Sequence, residues 1–334
     1  MVKIVGQIKA KTPLAFSIPS KEEERKKPEI TIFTETETKE TRLIIPVNSL
    51  RGKLRFLCAK YFLNKLYEKT NRKIDYLTFL LYTSGGIVSK KSTDAKAIIL
   101  PEKYFEVEKV IEKSIVLSLF GGTLPYPVGM IRGKLEISIP ICDQRDISIE
   151  QFNFSKLPHE EEYFELIKKG MADSESYISI FEKVREKDGQ NVVMVRNVIE
   201  DNYFIPEGVT FSHFIRVRNG REEELGLLLH GLRELSVEGI GGFSRFAFGK
   251  IAFNYKVEVN LEDERKDANI EIEDGEIKIR SEKDKWVFDV IKKVDEFYES
   301  LNLDDWNAFY YADLEKLIKE ASKEVVKAKE KKEK

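Results

Sequence analysis

Residues 2–10 alternate strictly. Val2, Ile4, Gly6, Ile8 and Ala10 fall on one side; Lys3, Val5, Gln7 and Lys9 fall on the other. That period of two predicts a half-buried strand, closed by Thr12-Pro13. Residues 17–42 are polar, with one short apolar run at 30–34, and predict a solvated loop or hairpin. After Leu43-Ile44-Ile45-Pro46-Val47 the period changes. Leu50, Leu54, Leu57, Cys58, Tyr61, Phe62 and Leu66 recur at helical spacing, with Asn48 or Ser49 as the natural N-cap.

Residues 70–115 break the pattern and predict an insertion. A strand follows at 133–141, and 150–185 predict a polar helical insertion. A charged turn at 185–189 beside an apolar run at 192–195 predicts a protruding hairpin over 186–204. Val209, Phe211, His213, Ile215 and Val217 alternate as a strand. Leu225, Leu228, Leu229, Leu232 and Leu235 stripe a helix over 222–238, and a strand follows from Ile251. The tail predicts a hairpin turn at Asp274-Gly275 and two helices, one carrying Val287 to Phe297, the other Trp306 to Ala321. Without its insertions the order is strand, helix, strand, then strand, helix, strand, the split βαβ of ferredoxin-like and RNA-recognition folds. The expected class is α+β, with residues 1–257 as a palm carrying insertions at about 70–115 and 150–204, and 258–334 as a C-terminal hairpin and helical extension.

Composition narrows the function classes. The chain has 334 residues, 42% hydrophobic, which suffices for a large core. No run of about 18 apolar residues marks a membrane span, and no signal peptide is legible, so the expectation is a cytosolic protein away from membranes. Cys58 and Cys142 stand alone, without metal-ligand spacing, and no cofactor or metal is expected. The formal net charge is −2, yet residues 1–60 hold 13 Lys and Arg against 7 Asp and Glu, while 258–334 hold 16 against 23. A basic front and an acidic tail suit local binding of a polyanion, or head-to-tail stacking of identical chains. Ordinary surface scatter gives the same numbers.

Three segments carry candidate chemistry. In the first, Asn48-Ser49-Leu50-Arg51-Gly52-Lys53-Leu54-Arg55, a helix N-terminus offers unpaired N–H groups. Arg51 and Arg55, one turn apart, are positioned to flank one run of phosphates. Gly52 costs helix propensity and suggests close approach by a ligand or backbone. A capped amphipathic helix with solvated cations fits the same pattern. The second is the glycine-rich stretch 239–250, with Gly241, Gly242, Arg245 and Lys250. It is neither a Rossmann fingerprint nor a P-loop, and a plain turn would also explain it. The third is Leu119-Phe120-Gly121-Gly122, followed by Gly129-Met130-Ile131-Arg132-Gly133-Lys134, where loop structure is the simpler reading.

In this order the segments resemble the RAMP superfamily of CRISPR-associated proteins. The resemblance spans most of 1–257 and rests on 46–55, Leu119-Phe120-Gly121 before Gly133-Lys134, Ile205–Phe211 opening a strand, and Phe248-Gly249-Lys250. Within it the chain looks like the Cas-seven backbone subunits, most like those of type IV systems and next like type I. The resemblance implies an RNA-recognition palm with finger and thumb insertions. Its implied partners are CRISPR guide RNA, a target nucleic acid paired to the guide, copies of itself along the guide, and other effector subunits. It makes 186–204, with Arg196, the thumb. RNA contact is implied for Asn48, Ser49, Arg51, Lys53, Arg55, Arg132, Arg196, Gly241, Gly242, Arg245 and Lys250.

Type III relatives cut target RNA with an aspartate between the first strand and first helix, whereas the first aspartate here is Asp75. His159, His213 and His230 are scattered, and His213 lies on an apolar face. The expectation is a scaffold without catalysis. The alternatives are an endoribonuclease of the same superfamily, cleaving target or guide-precursor RNA, and a ferredoxin-like protein that never meets RNA.

Overall fold

The computed structural model describes residues 1–16, 32–34, 41–86, 101–125, 128–145, 147, 150–153, 168, 201–242, 247–261 and 264–320. The first strand, β1 (Val2–Ala10), is as the alternation requires: Val2, Ile4, Ile8 and Ala10 are fully buried. Two short strands, β2 (Ile32–Thr34) and β3 (Thr41–Leu43), pair with each other. Four helices follow: α1 (Val47–Thr70), α2 (Tyr76–Ser84), α3 (Pro101–Lys113) and α4 (Ile115–Phe120). Next come β4 (Gly121–Thr123) and β5 (Met130–Arg132), paired together, then β6 (Leu135–Ile137) and β7 (Ile141–Cys142). A pair formed by β8 (Glu150–Asn153) and β9 (Asp201–Phe204) precedes β10 (Thr210–Val217) and α5 (Glu222–Glu238). The chain continues through β11 (Ile251–Leu261), β12 (Glu264–Glu273), β13 (Glu276–Ile279), α6 (Trp286–Ser300), α7 (Leu303–Ala308) and α8 (311–320).

The main sheet runs β13-β12-β11-β1-β10-β6, with β7 also on β10, and all its pairings are antiparallel. In register, Ile4 faces Ile215 on one side and Val257 on the other, so one apolar row crosses the three central strands. The same face carries Phe211, Val217, Phe253 and Val259, all buried. The helices bury their stripes too: Leu50, Leu54 and Phe62 on α1, and Leu225, Leu228 and Leu232 on α5, are fully buried. Two glycines on α5 set how closely its neighbours approach. A Cβ at Gly231 would lie 2.5 Å from Cys58 Sγ on α1, and one at Gly226 would lie 2.3 Å from the Val290 carbonyl on α6.

Three expectations change. The helix begins earlier than the capping signal suggests: Pro46 is the N-cap of α1, and Asn48 and Ser49 sit exposed in its first turn. Pro46 is compatible because a helix start has no use for the N–H that proline lacks. The strand expected at 133–141 is split into β6 and β7, since Pro140 between them has no N–H for the ladder; its carbonyl instead accepts from Ile45 N at 3.1 Å. The C-terminal extension is not a separate body. One compact unit comprises Met1–Phe16, Thr31–Ser148 and Ile205–Lys334, and β12 and β13 widen the palm's own sheet.

The reason is aromatic packing. Trp306, Phe309, Tyr310 and Leu314 are almost wholly buried, and Trp306 stacks on Phe62 of α1 with 6.0 Å between ring centroids. Tyr82 Oη donates to the Phe309 carbonyl at 2.9 Å, and Tyr310 Oη to the Arg72 carbonyl at 2.7 Å. Acidic charge in the tail also finds local partners: Asp295 accepts from Tyr61 Oη at 2.5 Å and pairs with Lys65 at 2.9 Å. The expected insertion at 70–115 likewise belongs to this unit, with Leu81, Tyr82 and Val107 in its core. A second unit comprises Ser17–Ile30 and Ile149–Phe204, where β8 and β9 pair, close to the insertion expected at 150–204. Among the described residues no helix is long and apolar enough to cross a membrane.

Candidate nucleic-acid interface

The first turn of α1 leaves donors open. Ser49 N bonds the Pro46 carbonyl at 3.0 Å and Leu50 N the same oxygen at 3.2 Å. The Val47 and Asn48 N–H groups have no acceptor among the described residues, as helix starts require unless a side chain or ligand supplies one. Beyond them along the helix lies Gly52, exposed, where an added Cβ would meet nothing within 4 Å. Among the described residues nothing closes on Gly52. Asn48, Ser49 and Gly52 thus form an open polar strip.

Arg51 and Arg55 do not belong to that strip. Both guanidinium groups turn inward and serve the C-terminal ends of two neighbouring helices. Arg55 donates from Nε to the Tyr82 carbonyl at 2.7 Å, and from Nη2 to Leu81 at 2.7 Å and Gly121 at 2.9 Å. Arg51 donates to the Phe120 carbonyl at 3.0 Å and the Leu135 carbonyl at 2.8 Å. All but Leu135, which opens β6, lie at the ends of α2 and α4, where unpaired oxygens and the negative end of the helix dipole meet a cation. Burial, then the neighbouring Arg51 charge, lowers the Arg55 pKa to about 10, which leaves it charged at neutral pH. Arg51 is lowered in the same direction by burial. The pair expected to flank a phosphate run is therefore spent on the protein's own backbone.

Lys53 leaves the helix on the other flank. Its Nζ pairs with Glu238 Oε2 at 2.6 Å, and Lys60 meets the other oxygen at 3.4 Å. These two lysines hold the Glu238 carboxylate below its ordinary pKa. Glu238 ends α5, so the ion pair fastens the glycine-rich stretch beside the strip. That stretch is clamped on the segment after β1. Gly242 N donates to the Ala15 carbonyl at 2.8 Å, Gly249 N to Pro13 at 2.9 Å, and Lys250 N to Thr12 Oγ1 at 3.0 Å. Gly241 has φ of 91°, and a Cβ there would sit 2.4 Å from the Ala15 carbonyl. Close approach at Gly241 is thus to the chain itself, while a Cβ at Gly242 would meet only Ala15 O at 3.8 Å. The Lys250 side chain is exposed.

Arg132 lies on the Arg51 side of α1. It is exposed on β5, directly opposite Gly121, the residue whose carbonyl Arg55 holds. Of the expected contacts, then, Asn48, Ser49 and Lys53 gather on the first two turns of α1. Arg132 is linked to one flank and Gly241, Gly242 and Lys250 to the other. Arg196 and Arg245 lie outside the described residues, as does the expected thumb up to residue 200.

One network was not legible in advance. Glu224 in the first turn of α5 is fully buried; it accepts from Ser118 Oγ at 2.6 Å and Lys134 Nζ at 2.9 Å, and pairs with Arg221 at 3.2 Å. Burial raises its pKa, but these donors outweigh burial and hold it low. The only advance signal was the acidic first turn 222–224. The histidines are separated: His213 is buried on the sheet with Nε2 2.5 Å from Tyr255 Oη, and His230 packs on the Tyr61 ring on α1. His159 lies outside the described residues, and among those described no group of three His, Cys, Asp or Glu is placed to hold a metal.

No curated protein matches the chain. Among solved structures, a chain of one titled "Type IV-B CRISPR Complex" aligns with 80% of this chain and 93% of its own length, at 12% identity and a TM-score of 0.44. The family model for the RAMP superfamily matches residues 7–252, from β1 through the glycine-rich stretch to the start of β11. The chain belongs to the RAMP superfamily.

Proposed function

We propose that this protein is a guide-RNA-binding backbone subunit of a CRISPR effector complex, acting in the cytosol and arranged in multiple copies along the RNA, without catalysing a reaction. On this reading β11-β1-β10-β6, with α1 and α5 as crossovers, is a ferredoxin-like palm, and the type IV systems are the nearest setting. The observation that carries the proposal is the open strip on α1: two N–H groups without an acceptor among the described residues, the Asn48 and Ser49 side chains, and a surface over Gly52 on which no described residue closes. Phosphate favours such a helix start. The buried guanidiniums of Arg51 and Arg55 lend positive potential from behind without touching the ligand.

Ser49→Glu tests this. A carboxylate in the first turn suits the helix dipole, so thermal stability should hold or rise slightly. The same carboxylate repels phosphate, so RNA affinity should drop about tenfold and the drop should shrink at high salt. Fluorescence anisotropy with a labelled single-stranded RNA across a salt series reads both. Unchanged affinity in this variant refutes the strip as the RNA site. Incubation of the wild-type protein with labelled guide and target RNA, with and without divalent metal, tests the absence of catalysis.

A further inference from the structure

The helix α5 opens on three carboxylates, Glu222, Glu223 and Glu224, where the helix dipole favours them. It also closes on one, Glu238, with no basic residue in its last turn. A carboxylate on the last residue of a helix faces unpaired carbonyls and the negative end of the dipole, the end that disfavours it. What holds Glu238 there is α1. Lys53 Nζ lies 2.6 Å from one carboxylate oxygen, and Lys60 Nζ 3.4 Å from the other. From Val47 to Tyr67, α1 itself carries no Asp or Glu, so the anion between its two lysines is supplied from another element.

These lysines continue the open strip. Lys53 stands one turn beyond Ser49 and next to Gly52, and Lys60 stands two turns further on. The other cations between Val47 and Lys60 are Arg51 and Arg55, which are turned inward. We propose that the place between Lys53 and Lys60 is a phosphate site, filled by Glu238 in the free protein, and that a phosphate of bound RNA takes over both lysines as Glu238 swings away. Lys60 is then a further RNA contact, and Glu238 an internal competitor that sets how tightly RNA is held. This rests on the reading that the strip binds RNA.

Three observations carry the exchange. The first is chemistry: two ammonium groups converge on the two oxygens of one anion, and a phosphodiester offers the same pair of oxygens and the same single charge. The second is access. The side chains of Lys53, Glu238 and Lys60 are 33%, 30% and 58% exposed, and ion pairs in that range are weak and screened by salt, so a change of partner costs little. The third is that release needs one side chain and no backbone movement. Around Glu238 the chain is held without it: Gly239 N donates to the Leu235 carbonyl at 2.8 Å and Ile240 N to Gly249 at 2.8 Å, while Ser236 Oγ accepts from Gly275 N at 2.9 Å.

Fluorescence anisotropy of the full-length protein with a labelled single-stranded RNA, across a salt series, tests the exchange. Glu238→Gln keeps the shape and removes the competitor. Affinity should rise about fivefold at low salt, the scale of one surface ion pair, and its dependence on salt should steepen. Glu234→Gln removes the same charge one turn earlier, from a carboxylate that meets Arg233 instead of the two lysines, and should give less than half that gain. Lys60→Ala should weaken binding about threefold and, combined with Glu238→Gln, should cancel most of its gain. A tie of purely structural value behaves otherwise: Glu238→Gln would melt lower and bind RNA no better than wild type, and that result overturns the proposal. If it comes while Ser49→Glu still weakens binding, the strip reading stands without the exchange. If neither wild type nor Glu238→Gln binds single-stranded RNA, both fall. A thermal-shift titration with inorganic phosphate separates the sources. Free phosphate that stabilises wild type as strongly as the RNA does, but not Lys60→Ala, would overturn the assignment to RNA.

Discussion

Replacing Arg55 by Lys separates charge from geometry inside the palm. The guanidinium makes three bonds of 2.7–2.9 Å to the carbonyls of Leu81, Tyr82 and Gly121, with the residue only 8% exposed. A lysine ammonium keeps the charge but is a compact donor, unable to span carbonyls arranged for a planar fork. At best it retains one of the three bonds. Two carbonyls at helix ends are then left buried without a partner, each costing about 1–3 kcal/mol. The expected loss is therefore about 3 kcal/mol, against a total stability of roughly 5–15 kcal/mol for a protein domain. Urea unfolding followed by far-ultraviolet circular dichroism should show a lower midpoint with an unchanged slope. RNA affinity, measured well below that midpoint, should stay within about twofold of wild type, since no ligand touches a group turned inward. An unchanged midpoint with lost RNA affinity would refute this reasoning and return Arg55 to the phosphate site.

Two further outcomes follow from packing and titration. Gly226→Ala drives a methyl to 2.3 Å from the Val290 carbonyl, so α5 and α6 must separate; a loss of about 1–3 kcal/mol is expected by calorimetry, and a neutral result would mean the contact is looser than described. His213 is buried and its pKa is lowered to about 4, so the unfolded chain, titrating near 6.5, takes up its proton first. Stability from this group is fully present above about pH 6.5 and is lost as pH falls toward 4, roughly 2 kcal/mol of it between pH 7 and pH 5. His213→Gln should remove that part of the pH dependence in paired urea titrations.

The element order was readable because burial imposes its own period. Residues 2–10 and 209–217 alternate since they have one wet face and one dry one, and the leucines of 222–238 recur at helical spacing for the same reason. The direction of a long side chain is less accessible. Arg51 and Arg55 sit beside the buried stripe of α1, and the sequence cannot say whether a cation there meets water or the ends of α2 and α4. That depends on residues 81–82 and 120–121, which only folding brings near. The packing of the acidic tail was hidden for a related reason. Its net charge suited stacking on a neighbouring copy as well as packing at home, yet Trp306, Phe309 and Tyr310 commit it to Phe62 and Tyr82. Gly52 and Gly241 look alike in sequence, but no described residue closes on the first and the second meets its own backbone.

The Arg55 fork holds Leu81 and Tyr82 at one end of a long excursion and Gly121 at the other. One side chain thus pins both mouths of the segment that leaves α2 and returns through α4. With its ends fixed, such a segment can lengthen at small entropic cost, about 0.6 kcal/mol for each doubling of a flexible loop. Changes of length between residues 86 and 101 should therefore cost the palm little, whereas α3, whose Val107 is fully buried, has to stay. The palm should tolerate such changes so long as Arg55 and the two receiving corners are kept.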